Sequence, residues 1–124
     1  MLRVFLDTSV LSDRSVTRLA SELAEQALSG EEFLVSVLTH FQILWGYKMA
    51  GILPGRYEDF LRKLNVDVAP LIEDDAALAA QMRPSRSDLV DALISATVRR
   101  YDAHLWTRDS DFLKYLPEEK VRIV

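Results

Sequence analysis

The chain has 124 residues, the length of one domain at roughly 100–200 residues per domain. It has no Cys and only two His, which excludes disulfides, thiolate metal sites and a Cys nucleophile and argues against a His-rich zinc site. Its formal charge of -4 argues against a protein that coats nucleic acid through its overall charge. No apolar run approaches the roughly 20 residues of a membrane span, and the start does not resemble a signal peptide. We therefore expect a cytoplasmic protein that makes no membrane contact.

Apolar runs and helical spacings alternate along the chain and predict an α/β fold. Strands are expected at residues 2–7, 33–36, 66–71, 103–107 and 121–124. Helices are expected at residues 16–28, 39–50, 54–64, 73–82, 87–101 and, as a short one, 109–115. Gly30 and Gly51 are placed to end helices, and Pro70 assigns the third strand to an edge of the sheet.

This order predicts a single domain over residues 1–124. It is a three-layer α/β/α sandwich with a central, mostly parallel sheet of about five strands. In such sheets ligands bind at the carboxyl ends of the strands, near the point where the strand order reverses. Residues that directly follow strands are therefore the first candidates for a functional site.

Two aspartates lie at the ends of predicted strands. Asp7 ends the first strand, and Asp109 follows the fourth. Each could simply cap a short helix, although Thr8 and Ser9 could serve as caps in place of Asp7. If the first and fourth strands are neighbours, about 4.8 Å apart, Asp7 and Asp109 face each other across one crevice.

Asp91 is the third candidate, because it is the charge within an otherwise apolar helix. One interpretation is a capping box in which Asp88 is the cap and Asp91 its partner. The interpretation that we favour places Asp91 at a helix N-terminus, facing the same crevice. Three carboxylates in one cleft stay ionised together only around a cation, and oxygen ligands without Cys or paired His select Mg²⁺ or Mn²⁺. That chemistry suits phosphodiester hydrolysis, and nearby arginines such as Arg83, Arg86, Arg99, Arg100 and Arg108 could hold phosphates.

Four sequence blocks, in order, resemble the PIN domain family, the metal-dependent ribonuclease fold of VapC-type toxins. FLDTSVL resembles its opening strand, and SVLTHFQILWG resembles its second block through Ser36, Thr39 and Gly46. DLVDALISATV and LWTRDSDFLKY match the third and fourth blocks. The acids of this pattern are Asp7, Asp91 and Asp109, with Asp111 as a frequent support.

The resemblance implies an Mg²⁺- or Mn²⁺-dependent endoribonuclease that cleaves single-stranded or looped RNA by metal-activated water. It also implies a homodimer and a small antitoxin protein that blocks the site. Asp7, Asp91, Asp109 and Asp111 are the expected metal ligands, the first three also being catalytic. Supporting roles fall to Thr8, Ser9, Gln42, Asp88 and Thr107.

Gln42 departs from the pattern, because the second block normally carries Glu at this position. Gln keeps the shape but loses a negative charge, and an amide oxygen ligates a cation less strongly than a carboxylate does. Alternatively, Gln42 could form a capping box with Thr39. A second functional hypothesis is therefore a weakened PIN-like module that binds RNA or a protein partner without efficient cleavage.

Two other classes of protein that place Asp after a strand fit this sequence less well. Response-regulator and haloacid-dehalogenase sites also place Asp after a strand, but Thr8 and Ser9 stand where those sites need further acids.

The large apolar residues Trp45, Tyr47, Met49, Tyr57 and Phe60 lie on two consecutive predicted helices. They could form core or a partner surface, and we expect part of this region to be exposed.

Overall fold

The computed structural model describes residues 2–11, 22, 25 and 30–124. The helix predicted at residues 16–28 therefore lies almost entirely outside the described residues. In the described part of the chain, no helix is long and apolar enough to cross a membrane.

The predicted parallel sheet is confirmed. Its five strands pair in the order β3-β2-β1-β4-β5, and every pair is parallel. The strand order reverses between β1 and β4, so that pair forms the switch point of the sheet. β3 lies at an edge, as Pro70 predicts, and it ends one residue before that proline. The strands are β1 (Arg3–Leu6), β2 (Glu32–Ser36), β3 (Asp67–Ala69), β4 (His104–Thr107) and β5 (Val121–Ile123).

Four α-helices connect these strands within residues 30–124, at positions close to the predicted ones. They are α1 (Val37–Ala50), α2 (Gly55–Lys63), α3 (Glu73–Gln81) and α4 (Leu89–Arg100). Short 3₁₀ turns cover Thr8–Val10, Arg86–Asp88, Ser110–Lys114 and Glu118–Lys120, so the short helix predicted at 109–115 is a 3₁₀ turn.

Helix α1 begins two residues earlier than predicted, because Ser36 is its N-cap. The Ser36 Oγ atom accepts a hydrogen bond from the Thr39 N–H at 3.0 Å. The capping box proposed for Thr39 and Gln42 is therefore wrong. Helix α1 ends as predicted at Gly51, whose φ of 69° lies in the left-handed region that glycine adopts most easily.

Helices cover both faces of the sheet, which gives the three predicted layers. Val4, Leu6 and Trp106 point to one face and pack with residues of α1 and α2. Phe5 and Leu105 point to the other face and pack with α4. Because successive strand residues alternate between faces, this arrangement buries the central strands on both sides.

Helix α3 is attached to α4 through a buried carboxylate, that of Asp75. Asp75 accepts hydrogen bonds from Arg100 Nε at 2.8 Å and from Thr97 Oγ1 at 3.0 Å, and also from the Ile72 N–H at 3.1 Å. Burial alone would raise the pKa of Asp75, but these bonds, led by Arg100, hold it below its usual value. Asp75 is therefore a fully compensated structural charge.

Candidate functional site

Asp7 lies at the carboxyl end of β1, at the switch point of the sheet. Its backbone N–H continues the ladder to the Trp106 carbonyl of β4 at 3.0 Å. Its buried side chain accepts hydrogen bonds at Oδ2 from Ser9 Oγ, at 2.7 Å, and from Thr107 Oγ1, at 2.9 Å. The adjacent strand β4 thus helps to fix the Asp7 carboxylate.

Asp109 lies beside Asp7, because two hydroxyl groups connect the strand ends. Thr107 Oγ1 donates to Asp7 and accepts from the Asp109 N–H at 3.0 Å. Ser9 Oγ also donates to Asp7 and accepts from the Arg108 N–H at 2.9 Å. Strands β1 and β4 are thus neighbours, as the hypothesis requires, and the Asp109 backbone is connected through Thr107 to the Asp7 carboxylate. Ser9 and Thr107 support this connection by using both the donor and the acceptor capacity of their hydroxyl groups.

Both aspartates also cap the 3₁₀ turns that follow their strands. Asp7 Oδ2 accepts a long hydrogen bond from the Ser9 N–H at 3.4 Å, and Asp109 Oδ1 accepts one from the Asp111 N–H at 2.9 Å. Capping and a functional role were alternatives at the sequence level, but each cap uses only one oxygen. Asp7 Oδ1 and Asp109 Oδ2 accept no hydrogen bond from any described residue. As far as the described residues go, one oxygen of each carboxylate thus remains for a ligand.

Asp91 faces these two carboxylates from the first turn of α4. Burial and the negative charges of Asp109 and Asp7, with smaller contributions from Asp88 and Asp111, raise the pKa of Asp91 to about 6. The helix N-terminus favours a negative charge, so burial and the like charges of Asp109 and Asp7 together outweigh that effect at Asp91.

Asp88 does not form a capping box with Asp91. It precedes α4, but its side chain makes no capping hydrogen bond to that helix. Instead Asp88 Oδ2 accepts from the Tyr115 hydroxyl at 2.6 Å and lies 3.3 Å from Lys114 Nζ. The hydrogen bond from Tyr115, assisted by Lys114, holds the pKa of Asp88 below its usual value although the residue is buried. Asp88 thus connects the start of α4 to the turn after β4.

Lys114 and Tyr115 were not among the residues selected from the sequence. Lys114 Nζ also lies 3.4 Å from Asp111 Oδ1, so one ammonium group holds Asp88 and Asp111 together. The spacing of three residues between Asp111 and Lys114 is a signal for that ion pair. The contacts to Asp88 cross 26 and 27 positions of the chain and leave no local signal.

Gln42 projects from α1 toward the residue that follows Asp7. Its Oε1 atom accepts a hydrogen bond from Thr8 Oγ1 at 2.7 Å. Gln42 therefore stabilises the loop that carries the first acid, and a Glu side chain could accept the same hydrogen bond. The two residues also border an open cavity of about 340 Å³, whose further lining is apolar and includes Ile43, Gly46 and Tyr47.

The apolar residues of α1 and α2 divide into two groups. Tyr57 and Phe60 are buried in the core. Phe41, Trp45 and Met49 recur every four residues on α1 and are 58–69% exposed, and Leu53 after the helix is 86% exposed. The expected exposed apolar surface is thus present on α1 and the segment that follows it. Tyr57 and Phe60 of α2 are not part of that surface, because they are buried.

The carboxylate oxygens of Asp7, Asp91 and Asp109, at the carboxyl ends of β1 and β4 and the start of α4, are of the type that a hard divalent cation prefers. Within the described residues, no three His, Asp or Glu side chains stand in positions from which they could jointly hold one ion. The unused oxygens of Asp7 and Asp109 and the uncompensated charge around Asp91 nevertheless match the chemistry by which proteins bind Mg²⁺ and Mn²⁺. A site that uses all three carboxylates would require side-chain positions other than those of the described residues in this structure.

The protein is thus a doubly wound α/β domain with acidic side chains at the switch point of its sheet. The family follows from the sequence, because the model of the PIN domain matches residues 4–115. The chain therefore belongs to the PIN domain family, whose members are typically nucleases and generally use a metal ion. Among curated proteins, no significant match was found.

Solved structures with the same fold include toxin–antitoxin proteins. VapBC2 from Rickettsia felis, bound to a DNA fragment from its promoter, is similar with a TM-score of 0.72 at 13% identity, over 98% of each chain. FitAcB from Neisseria gonorrhoeae gives a TM-score of 0.64 at 24% identity, over 90% of this chain and 92% of that chain. A toxin–antitoxin complex from Klebsiella pneumoniae gives 0.63 at 22%, over 96% and 95%. At these identities the likeness establishes the fold.

Proposed function

We propose that this chain is a metal-dependent endoribonuclease that cleaves single-stranded or looped RNA and acts as the toxin of a toxin–antitoxin pair. One observation carries the proposal: Asp7 and Asp109 are joined through Thr107 at the switch point of a PIN domain. This is the position at which a doubly wound sheet binds its ligand. The proposal treats residues 1–124 as a single domain.

Asp7, Asp91 and Asp109 are the proposed metal ligands and catalytic residues, and Asp111 is a further ligand. Ser9 and Thr107 orient the Asp7 carboxylate, and Thr8 and Gln42 hold the loop that contains it. Asp88 fixes the start of α4, and with it the direction from which Asp91 approaches. A bound Mg²⁺ or Mn²⁺ supplies charge stabilisation at the phosphate and activates water for its hydrolysis.

The preference for unpaired RNA rests on how single strands and loops present their backbone and bases. Acidic side chains dominate the ends of β1 and β4, so an RNA strand needs a cation or flanking basic groups to offset the repulsion. A single strand or loop can bend its backbone into a small site, and its bases are free for contacts that a duplex hides. We therefore expect loops and single strands to be cut in preference to duplex RNA.

The proposed protein partner is a small antitoxin that covers the exposed apolar surface of α1. Phe41, Trp45 and Met49 form a continuous apolar stripe, and such stripes normally mark a partner surface. Similar folds occur in toxin–antitoxin complexes, which supports this assignment. A homodimer is also proposed, and light scattering of the isolated chain will give its mass in solution.

The second candidate function is a weakened PIN module that binds RNA or a protein without efficient cleavage. Gln42 favours it, because an amide at this position adds no negative charge to the metal site. Cleavage assays with Mn²⁺ separate the two candidates.

The test is cleavage of matched single-stranded, hairpin and duplex RNA with Mg²⁺, Mn²⁺ or EDTA. Cleavage that requires the metal, favours unpaired RNA and is lost in Asp91→Asn supports the nuclease. Asp59→Asn is the matched control, because it removes an exposed carboxylate from α2 that pairs with Arg62. Binding of RNA without cleavage under any metal condition would instead support the weakened module.

A further inference from the structure

The structure separates the arginines that the sequence places together. Arg100 is bonded to Asp75 and to the Pro70 carbonyl, and Arg99 donates to the Tyr115 carbonyl. Both are therefore committed to holding helices and turns in place. Of the five arginines grouped by the sequence, Arg108 is the one that directly precedes Asp109 at the end of β4.

A second arginine, Arg122 of β5, approaches Arg108 in the folded protein. The two residues line one cavity of about 340 Å³ beside the carboxyl ends of β4 and β5. Val10, Trp106 and Glu22 also line this cavity. Its position is next to the acidic edge, since Val10 and Arg108 belong to the segments that carry Asp7 and Asp109.

The backbone of Arg108 is hydrogen-bonded to the turn that follows Asp7. Its N–H donates to Ser9 Oγ at 2.9 Å, and the same hydroxyl donates to Asp7. The Arg108 side chain is exposed, and no carboxylate in the described part of the chain pairs with it. Its guanidinium group is therefore available to an anion that enters beside Asp7 and Asp109.

Arg122 is held in place by an aromatic ring. It lies opposite Trp106 in the register of β4 and β5, and its guanidinium carbon lies 4.5 Å from the centre of the Trp106 ring. This cation–π contact restrains the guanidinium plane and leaves its N–H groups for hydrogen bonds. The nearest described carboxylate is that of Glu22, at a long distance of 3.9 Å between oxygen and nitrogen.

We propose that Arg108 and Arg122 form a binding subsite for a backbone phosphate of the RNA, adjacent to the phosphate that is cleaved. Two guanidinium groups at one cavity are suited to phosphate oxygens, which they bind through paired N–H donors. The subsite also offsets the repulsion between the acidic edge and a polyanion. This inference rests on the proposed function, since it assigns the path of the same substrate.

The test is the binding of fluorescent single-stranded oligouridylate and oligoadenylate to the full chain in EDTA, followed by anisotropy over a range of salt concentrations. Arg108→Ala and Arg122→Ala should each raise the dissociation constant about tenfold at low salt. Each should also reduce the slope of log affinity against log salt by up to about 0.7, the value for one phosphate contact on a single strand. Both oligonucleotides should be affected by the same factor, because phosphates carry no sequence information.

Three further variants sharpen the result. Arg62→Ala is the matched control, because this exposed arginine of α2 pairs with Asp59 near the opposite edge of the sheet, and it should bind as the wild type does. Arg122→Lys keeps the charge and loses the planar stacking on Trp106, so its affinity should lie between those of wild type and Arg122→Ala. Glu22→Gln should tighten binding, since it removes the carboxylate that competes for Arg122.

The outcomes separate this inference from the proposed function. If Arg108→Ala and Arg122→Ala bind and cut RNA as the wild type does, the subsite is wrong while the nuclease assignment stands. A loss confined to one of the two oligonucleotides would assign these arginines to a base and overturn the phosphate subsite. If the wild type neither binds nor cuts RNA, the proposed function fails, and the subsite fails with it.

Discussion

Asp75 and Asp91 occupy the same local position in two helices that pack together. Each is the third residue of its helix, α3 and α4, where the helix N-terminus favours a negative charge. Yet the pKa of Asp75 is lowered, whereas that of Asp91 is raised to about 6. The local sequence cannot account for opposite shifts, so the difference arises from the tertiary neighbours.

The neighbours differ in the sign of their charge. Asp75 receives the guanidinium of Arg100 together with hydroxyl and backbone donors. For Asp91, burial is the largest cause of the raised pKa, and the like charges of Asp109 and Asp7 add to it. A carboxylate that is compensated stabilises the fold, and one that is left uncompensated costs stability and is available to a cation. The two aspartates thus distinguish a structural from a functional carboxylate within one pair of helices.

The largest expected effect concerns Asp91. Asp91→Asn should lower cleavage more than about a hundredfold, since loss of even an outer partner of a metal site costs about 10–100-fold. Its free energy of unfolding at pH 7 in EDTA should rise, because a raised folded-state pKa means that the ionised carboxylate destabilises the native state. Initial rates and urea unfolding measure both quantities.

Asp75→Ala should show the reverse pattern. It leaves Arg100 and Thr97 without their acceptor, which should lower the free energy of unfolding by about 2–3 kcal/mol. Cleavage by the folded protein should stay close to that of the wild type. The control is Asp74→Ala, because the adjacent Asp74 is exposed, and its loss from the first turn of α3 should lower the free energy of unfolding by at most about 1 kcal/mol and leave cleavage unchanged. A large loss of cleavage in folded Asp75→Ala would contradict the division between the two carboxylates.

Gln42→Glu tests whether a further negative charge beside the proposed metal ligands tightens the binding of Mn²⁺. We expect Mn²⁺ to bind about tenfold more tightly, a difference of about 1.4 kcal/mol, and cleavage to become faster. The fold should be retained, because Glu can accept the hydrogen bond from Thr8 as Gln does. Isothermal titration of both proteins, with Gln81→Glu at the exposed end of α3 as the control, measures this. Equal Mn²⁺ affinities would place Gln42 outside the reach of the metal.

The smallest effect concerns acid pH and Asp75. Since its folded-state pKa is below its ordinary value, Asp75 contributes stability that is fully present above about pH 4 and is lost as the pH falls through the folded-state pKa. Urea unfolding between pH 6 and pH 2 should therefore show a steeper acid loss in the wild type than in Asp75→Asn. Parallel pH profiles would mean that Asp75 is not preferentially stabilised in its ionised form.

The sequence by itself determined the alternation of strands and helices, the parallel sheet and the identity of the acids that follow its strands. These features are local, because an apolar run, a proline or a capping residue acts on its own segment. The position of Asp7 and Asp109 at one edge followed from the rule that parallel strands end together. The family resemblance was likewise readable from four blocks in order, and the match over residues 4–115 confirms it.

Only the tertiary structure decided which polar groups meet. It bonded Gln42 to Thr8 and gave the cap of α1 to Ser36, although the spacing of Thr39 and Gln42 fits a capping box. It also committed Arg100 to Asp75 and brought Arg122 to Arg108, 14 positions away along the chain. The physical reason is that ion pairs and hydrogen bonds between distant segments depend on where the packed strands and helices place each side chain. The pattern within one segment does not contain that information.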